Sequence, residues 1–498
     1  MISLLALRNL TYRPWRSLLL FLGYGMGVAV MITLLSIGEA LVTQARQEKL
    51  VGGGNITVLP QGLDVEVMKT GGLGGLFFSI DHSRFIYRQV LASPRLASVV
   101  SAVSPQIDGK LLYLRTRDGQ VTPVRATGEI PGATRAVGAL PEIAAGAWRD
   151  DAGDRRYVNP TRRELYDEID HFHITPANVA HPETWAEWHY FNVLSASGHA
   201  WTFISYIGAG DVRGSRWGGK LGVTVHDSTG AIRRYALLVP AARVRFSTTD
   251  ADVRIGEASV TLRDDGSYAL EGTAAPEQGG GAPLSIHLIV MPVPRAYFPG
   301  AALGGADLVS GYVVAGLRAN ASGTICEGAR CERYDGAQSY HDHNWGVWQG
   351  VTWDWGAARA GSYTMLYGRV IPPASVAEAP PLFVYLVDSL GFRAVFRPRV
   401  IRYTDDRTIM VNGRTVRVPS VAEFADVRGN DTLRVRLSVE SALGTDTRTG
   451  IAQRGDAGRA SEVAHPYFIQ MKGTATLVGR VGGAPIDGQG TGFFETYR

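Results

Sequence analysis

"SYHDHNWG", residues 339–346, is the stretch on which the reading of this chain turns. Its flanks alternate apolar and polar residues and break at Gly, Asp and Asn, so it reads as strand. Successive strand side chains point to opposite faces. His341, His343 and Trp345 therefore share one face, and Tyr340, Asp342 and Asn344 share the other. Three readings are open. A His-x-His pair can begin a metal site, a buried histidine or carboxylate can do acid/base work, and Asp342 and Asn344 can bond backbone amides at a structural corner. After the motif the sequence offers only His465 as a further histidine, so no metal and no cofactor is expected.

Working outward, aromatic residues crowd both sides of a long strand-rich region. "VWQGVTWDWGAARAGSYTMLYGRV" follows the motif and holds Trp353, Tyr363 and Tyr367. An earlier cluster, "ETWAEWHYFNVLSASGHAWTFISYIG", holds Glu187, Trp188 and Tyr190. Each cluster leads into roughly 130 to 150 residues of short strands and turns, which suggests two related antiparallel barrels in tandem. The expected boundaries are 171–338 for the first barrel and 339–498 for the second, so the motif opens the second barrel. A charged, turn-rich stretch at 151–170 reads as a linker.

At the other end, "SLLLFLGYGMGVAVMITLLSIG" (17–38) carries no charge. As a helix it would span roughly 33 Å, enough to cross a bilayer. Arg8, Arg13 and Arg16 precede it. The positive-inside rule then puts residues 1–16 in the cytoplasm, the membrane helix at 17–42 and the body outside the cytoplasm. The run is longer than a signal-peptide core and lacks a clear cleavage site, which favours a single-pass anchor.

The balance of 50 basic and 46 acidic residues gives a net charge of +4, too mild to indicate nucleic acid. The two cysteines, Cys326 and Cys331, sit in "ICEGARCERYDG", where a disulfide would clip a hairpin tip in an oxidising compartment. "GGLGGLFF" (71–78) lies outside a strand-to-helix phosphate loop, and Asn320-Ala321-Ser322 is a common glycosylation triplet.

Two resemblances add to this. "LALRNLTYRPWRSLLLFLGYGMGVAVMITLLSIGEALV" and the following "GGGNITVLPQGLD" resemble the first helix and first outer strand of MacB/FtsX-type ABC transporter permeases, over about 4–150. The three further helices of such permeases have no counterpart here. The resemblance implies an anchor and a small α+β extracytoplasmic segment at 43–150, beside a transporter. "HPETWAEWHYFNVL", "YFPG", "GYVVAGLRANASGTI", "YHDHNWG" and "GTGFFETYR" resemble the AttH-like family over 171–498. That family is built as a double lipocalin-like (calycin-type) barrel and includes carotenoid 1,2-hydratases (hydroxyneurosporene synthase-like) and relatives of fungal cyclising enzymes. Two departures stand out. His189 replaces a Trp, and Arg369 stands where the hydratase pattern has the carboxylate of a Tyr-x-Asp.

The resulting expectation is a mainly β, membrane-anchored lipocalin-like protein that binds an apolar or amphipathic ligand, such as a lipid or isoprenoid. Glu187, Trp188, Tyr190, His341, Trp345, Trp353 and Tyr363 would line its sites. The alternative is a hydratase or isomerase/cyclase in which His343, Asp342 and Tyr367 carry acid/base chemistry.

Overall fold

In the computed structural model the described residues are 12, 14–47, 56, 58, 80–138, 160–173, 175, 179, 182–195, 197–198, 200–210, 217–227, 229, 231–304, 309–348, 350–373, 381–447 and 465–498. The chain divides into two compact units, residues 1–77 with 102–149, and residues 78–101 with 150–498. The expected cytoplasmic residues 1–11, the glycine-rich stretch up to Ile80 and most of 139–159 lie outside the described residues.

In the first unit, helix α1 (Pro14–Gln47) contains one segment, Pro14–Ser36, long and apolar enough to cross a membrane, with mean hydropathy 2.3. Length and composition suit a membrane anchor or a signal sequence alike. The unit also holds the hairpin β1 (Gln106–Arg115) and β2 (Val121–Glu129).

The second unit is mainly β. Helices α2 (Ile80–Ala92) and α3 (Arg162–Asp170) precede its strands. Eight strands follow: β3 (Trp185–Leu194), β4 (Trp201–Gly210), β5 (Trp217–His226), β6 (Ile232–Pro240), β7 (Tyr268–Pro276), β8 (Leu284–Pro292), β9 (Val309–Glu327) and β10 (Arg330–Val347). Each pairs antiparallel with the next, and β10 pairs back onto β3, which closes an up-and-down lipocalin-like barrel. Short strands between Val244 and Leu262 continue from β7.

The second sheet has nine strands and stays open. They are β11 (Thr352–Ala360), β12 (Tyr363–Ile371), β13 (Phe383–Asp388), β14 (Gly391–Phe396), β15 (Arg402–Thr404), β16 (Val421–Arg428), β17 (Asp431–Asp446), β18 (Tyr467–Val481) and β19 (Ala484–Tyr497). Their order is β14-β13-β12-β11-β19-β18-β17-β16-β15, a curled half-barrel.

Three sequence expectations change. The 339–346 motif belongs to the first barrel, because β10 supplies the pairing that closes it, so the boundary falls after Val347. The 151–170 stretch is not simply a linker: Thr161 caps α3 with a capping box, and the helix packs on the barrel through Asp167, which accepts from the Ala251 amide at 2.8 Å. Residues 78–101 join the barrel unit rather than the segment before it. Cys326 and Cys331 are directly opposite on the β9–β10 hairpin and are disulfide-bonded.

The first barrel is packed, not hollow. Phe191, Tyr206, Tyr268 and Ile286 are fully buried inside it. A further cluster containing Tyr190, Tyr312, Tyr340, Trp355 and Phe493 fills the seam between barrel and open sheet.

Candidate functional site

The alternation along β10 puts both faces of the motif in protein. One face looks into the first barrel and the other into the seam. The register sets His343 opposite His189 and Trp345 opposite Glu187, so inward side chains of β10 meet inward side chains of β3.

Inside the barrel the organising residue is Asp170, the last residue of α3, with no exposed surface. Carboxylates are disfavoured at a helix C-terminus and in an apolar interior. Here ring N–H groups surround it. His341 Nε2 donates to Asp170 Oδ2 at 2.8 Å and His343 Nδ1 donates to Oδ1 at 2.8 Å. The Tyr268 hydroxyl also donates to Oδ2. Burial alone would raise the Asp170 pKa, but His341, with the hydrogen bonds from His341 and His343, outweighs it and holds the carboxyl well below the usual range.

His343 has a carboxylate at each nitrogen, since its Nε2 donates to Glu187 Oε1 at 2.9 Å. Burial works against its charged form, yet hydrogen bonds to Asp170 and Glu187 raise it to about 9. Glu187 then leads outward. It accepts from His173 Nδ1 at 2.8 Å and from the His173 amide at 2.9 Å on each oxygen. Burial would raise Glu187, but His173 and His343 lower it. The His173 ring stacks on Trp345 with centroids 4.0 Å apart, and its side chain is 27% exposed. Burial lowers its pKa, so the ring is neutral at pH 7, with Nδ1–H fixed on Glu187 and Nε2 directed away from it. The next residue back in the chain, Phe172, packs on Phe246, and Phe246 packs on Trp217.

The result is an unbroken hydrogen-bonded line, His173–Glu187–His343–Asp170–His341, from the surface to the barrel core. His189 completes the group: Nε2 donates to the Ala251 carbonyl at 2.9 Å, while Nδ1 lies 3.5 Å from Asp170 Oδ1. Among the described residues two sets have metal-ligand spacing, Asp170 with His189 and His341, and His173 with Glu187 and His343.

The seam holds a second polar group. Asp342 accepts from the Tyr340 hydroxyl and from Asn344 Nδ2, both at 2.7 Å. Trp355 Nε1 donates to the Tyr340 oxygen at 3.0 Å. Glu495 accepts from Trp353 Nε1 at 2.9 Å and Gln470 Nε2 at 3.2 Å. Burial raises both carboxyls to about 7. A cavity of about 10 Å³, room for about one water, lies nearby between Asn192, Tyr340, Arg359 and Phe493.

The structure thus brings Glu187, His341, His343 and Trp345 together and sends Asp342, Tyr190 and Trp353 to the seam. Trp188 packs on Trp348 at 4.8 Å. Tyr363 donates to the Pro485 carbonyl at 3.3 Å in the open sheet. Tyr367 is buried against Phe424 and Phe494 in that sheet's own core, separate from the His343 group. Asp170, His173 and His189 were missed as site residues. "DHFH" (170–173) mirrors the "HDH" of the motif, and that echo was the available signal.

No family model and no curated protein matches the chain. Among solved structures it is similar to an AttH protein of Nitrosomonas europaea, at 15% identity and TM-score 0.43, over 65% of this chain and 99% of that one. It is also similar to kievitone hydratase of Nectria haematococca (13%, TM-score 0.41, over 66% and 94%). A third is CghA solved with Sch210972 (15%, TM-score 0.38, over 63% and 89%). These similarities do not bear on activity.

Proposed function

We propose that this chain is an acid–base enzyme acting on an apolar or amphipathic small molecule, of isomerase/cyclase or hydratase type. The observation that carries the reading is the line His173–Glu187–His343–Asp170, because a carrier of apolar ligands has no use for buried carboxylates and histidines along one path. His173 is the catalytic residue. Its Nδ1–H on Glu187 makes Nε2 a base, and Glu187 stabilises the imidazolium formed when Nε2 takes a proton. His343 is a positioning residue: bonded to Glu187 on one side and Asp170 on the other, it fixes the carboxylate that holds His173. The partly exposed aromatic rings of Trp217 and Phe246, which pack in turn on Phe172, suit an apolar substrate. One outward base fits proton removal and return at another carbon; hydration needs a further donor.

Helix α1 would anchor the protein as a single-pass span with a cytoplasmic N-terminus, on the charges flanking it. The Cys326–Cys331 disulfide supports an oxidising, extracytoplasmic location for the barrels. Association with a MacB/FtsX-type transporter rests on the sequence resemblance alone.

The test begins with mass spectrometry of apolar compounds that co-purify with the detergent-extracted protein. The recovered compound is then incubated with enzyme in D₂O. Wild-type protein is expected to introduce deuterium, and His173→Ala to do so about 100-fold or more slowly. Equal rates in the two proteins, or a bound compound that never exchanges, would leave a binding protein instead.

A further inference from the structure

We propose that Asp170, His189 and His341 form a binding site for a divalent first-row transition-metal ion of the zinc class, inside the first barrel. The inference does not depend on catalysis by His173. It starts from a buried nitrogen. His189 has no exposed surface, and its Nδ1 has no hydrogen-bond partner among the described residues. Because Nε2 donates to the Ala251 carbonyl, the proton is on Nε2 and Nδ1 carries a bare lone pair. That lone pair faces Asp170 Oδ1 at 3.5 Å, so two electron-rich atoms confront each other in the buried interior. A cation between them would turn this repulsion into coordination.

The other donors suit the same ion. His341 Nε2 is 2.8 Å from Asp170 Oδ2, and the three residues each offer an atom within 4.8 Å of the others. Two ligands on a tetrahedral zinc at its usual bond lengths are about 3.3 Å apart, close to the 3.5 Å between His189 Nδ1 and Asp170 Oδ1; the 2.8 Å hydrogen bond of His341 would lengthen by about 0.5 Å to admit the ion. The outer contacts are those of ligating imidazoles. His189 and His341 each give their second nitrogen to a backbone carbonyl, Ala251 and Tyr190, which fixes the ring; the Nε2 proton that His341 gives to Asp170 would be released on metal binding. His343 donates to Asp170 from behind. Two imidazoles and one carboxylate select zinc or iron over magnesium or calcium.

The neighbouring set, His173 with Glu187 and His343, lacks this feature. Both nitrogens of His343 bond carboxylates and His173 Nδ1 bonds Glu187, so this set has no counterpart to the buried, unpartnered Nδ1 of His189 among the described residues. Its bonds close on themselves without an ion.

The test uses the full-length protein in detergent. Elemental analysis should find about one zinc or iron per chain as isolated. After chelator treatment, Co²⁺ should bind at one per chain with visible d–d absorption, and Zn²⁺ should displace it. His189→Ala should weaken Co²⁺ binding by about 100-fold or more, beyond the loss seen for outer-shell changes. His173→Ala, which leaves the three donors in place, should keep it. A metal-free protein that takes up no Co²⁺ overturns the proposal without any variant having to fold. So does a folded His189→Ala protein that binds Co²⁺ like wild type, or loss of binding in folded His173→Ala.

Discussion

Replacing Glu495 by Gln should change how stability depends on pH, and the sign follows from the seam. Glu495 is buried between barrel and open sheet, and its hydrogen-bond partners are neutral donors, Trp353 and Gln470. Burial first, with Asp342 adding to it, raises its pKa to about 7. In the unfolded chain a glutamate titrates near 4.3. The folded state therefore holds a proton that the unfolded state has released. Stability from this group is complete below about pH 4 and declines as pH rises through 7. Between pH 5 and pH 8 the loss amounts to about 2.5 kcal/mol for a shift of that size. Glu495→Gln cannot ionise, so the variant should gain about 2.5 kcal/mol relative to wild type over that interval, whatever constant offset the amide brings. Histidines that titrate in the same window, such as His343 and His226, are common to both proteins and largely cancel in the difference. Asp342 and Glu495 repel one another when both are charged, so removing the Glu495 charge also eases ionisation of Asp342, which adds in the same direction. The assay is urea unfolding followed by tryptophan fluorescence at pH 5, 6.5 and 8, with Trp353 bonded directly to Glu495. A variant-minus-wild-type difference constant within about 0.5 kcal/mol across the range would refute the reasoning.

Two further outcomes follow from the barrel. Asp170→Ala strands His341 and His343 inside the core without their shared carboxylate, so it should cost about 3–5 kcal/mol and lower the melting temperature by about 10 °C, read by circular dichroism. Gly346→Ala should cost about 1–3 kcal/mol in the same assay, because Gly346 has φ 143° and an added Cβ would lie 2.6 Å from Ser310 Cα and the Val309 carbonyl oxygen.

The alternation of "SYHDHNWG" was legible in the sequence, and it correctly separates His341, His343 and Trp345 from Tyr340, Asp342 and Asn344. Its place in the fold was not. Strand β10 closes the first barrel by pairing with β3, some 150 residues earlier, and no local pattern reports a pairing at that distance. The repeated aromatic clusters suggested a second barrel, but its sheet stays open because no hydrogen-bonded ladder joins β14 to β15 among the described residues. Asp170 was hidden for another reason. "RRELYDEID" has the charge density of a solvated helix, yet Asp167, Ile169 and Asp170 turn inward. A search for metal ligands that runs forward from His343 meets His465 alone. The partners lie upstream, on α3 and β3.

One strand thus carries two polar groups whose protonation is set in opposite ways. Inside the barrel, acid meets base: Asp170 and Glu187 are pushed down and His343 is pushed up, so charge is retained on both signs. In the seam, Asp342 and Glu495 are bonded chiefly by neutral hydroxyl, amide and indole donors, so burial wins and both rise to about 7. The difference bears on function. A fixed charge pattern suits a site that must hold a base or an ion in one state, while carboxyls poised near neutrality tie the seam to ambient pH. Backbone pairing of β10 with β3 couples the two, since His343 and Asp342 are consecutive residues on opposite faces of the same strand.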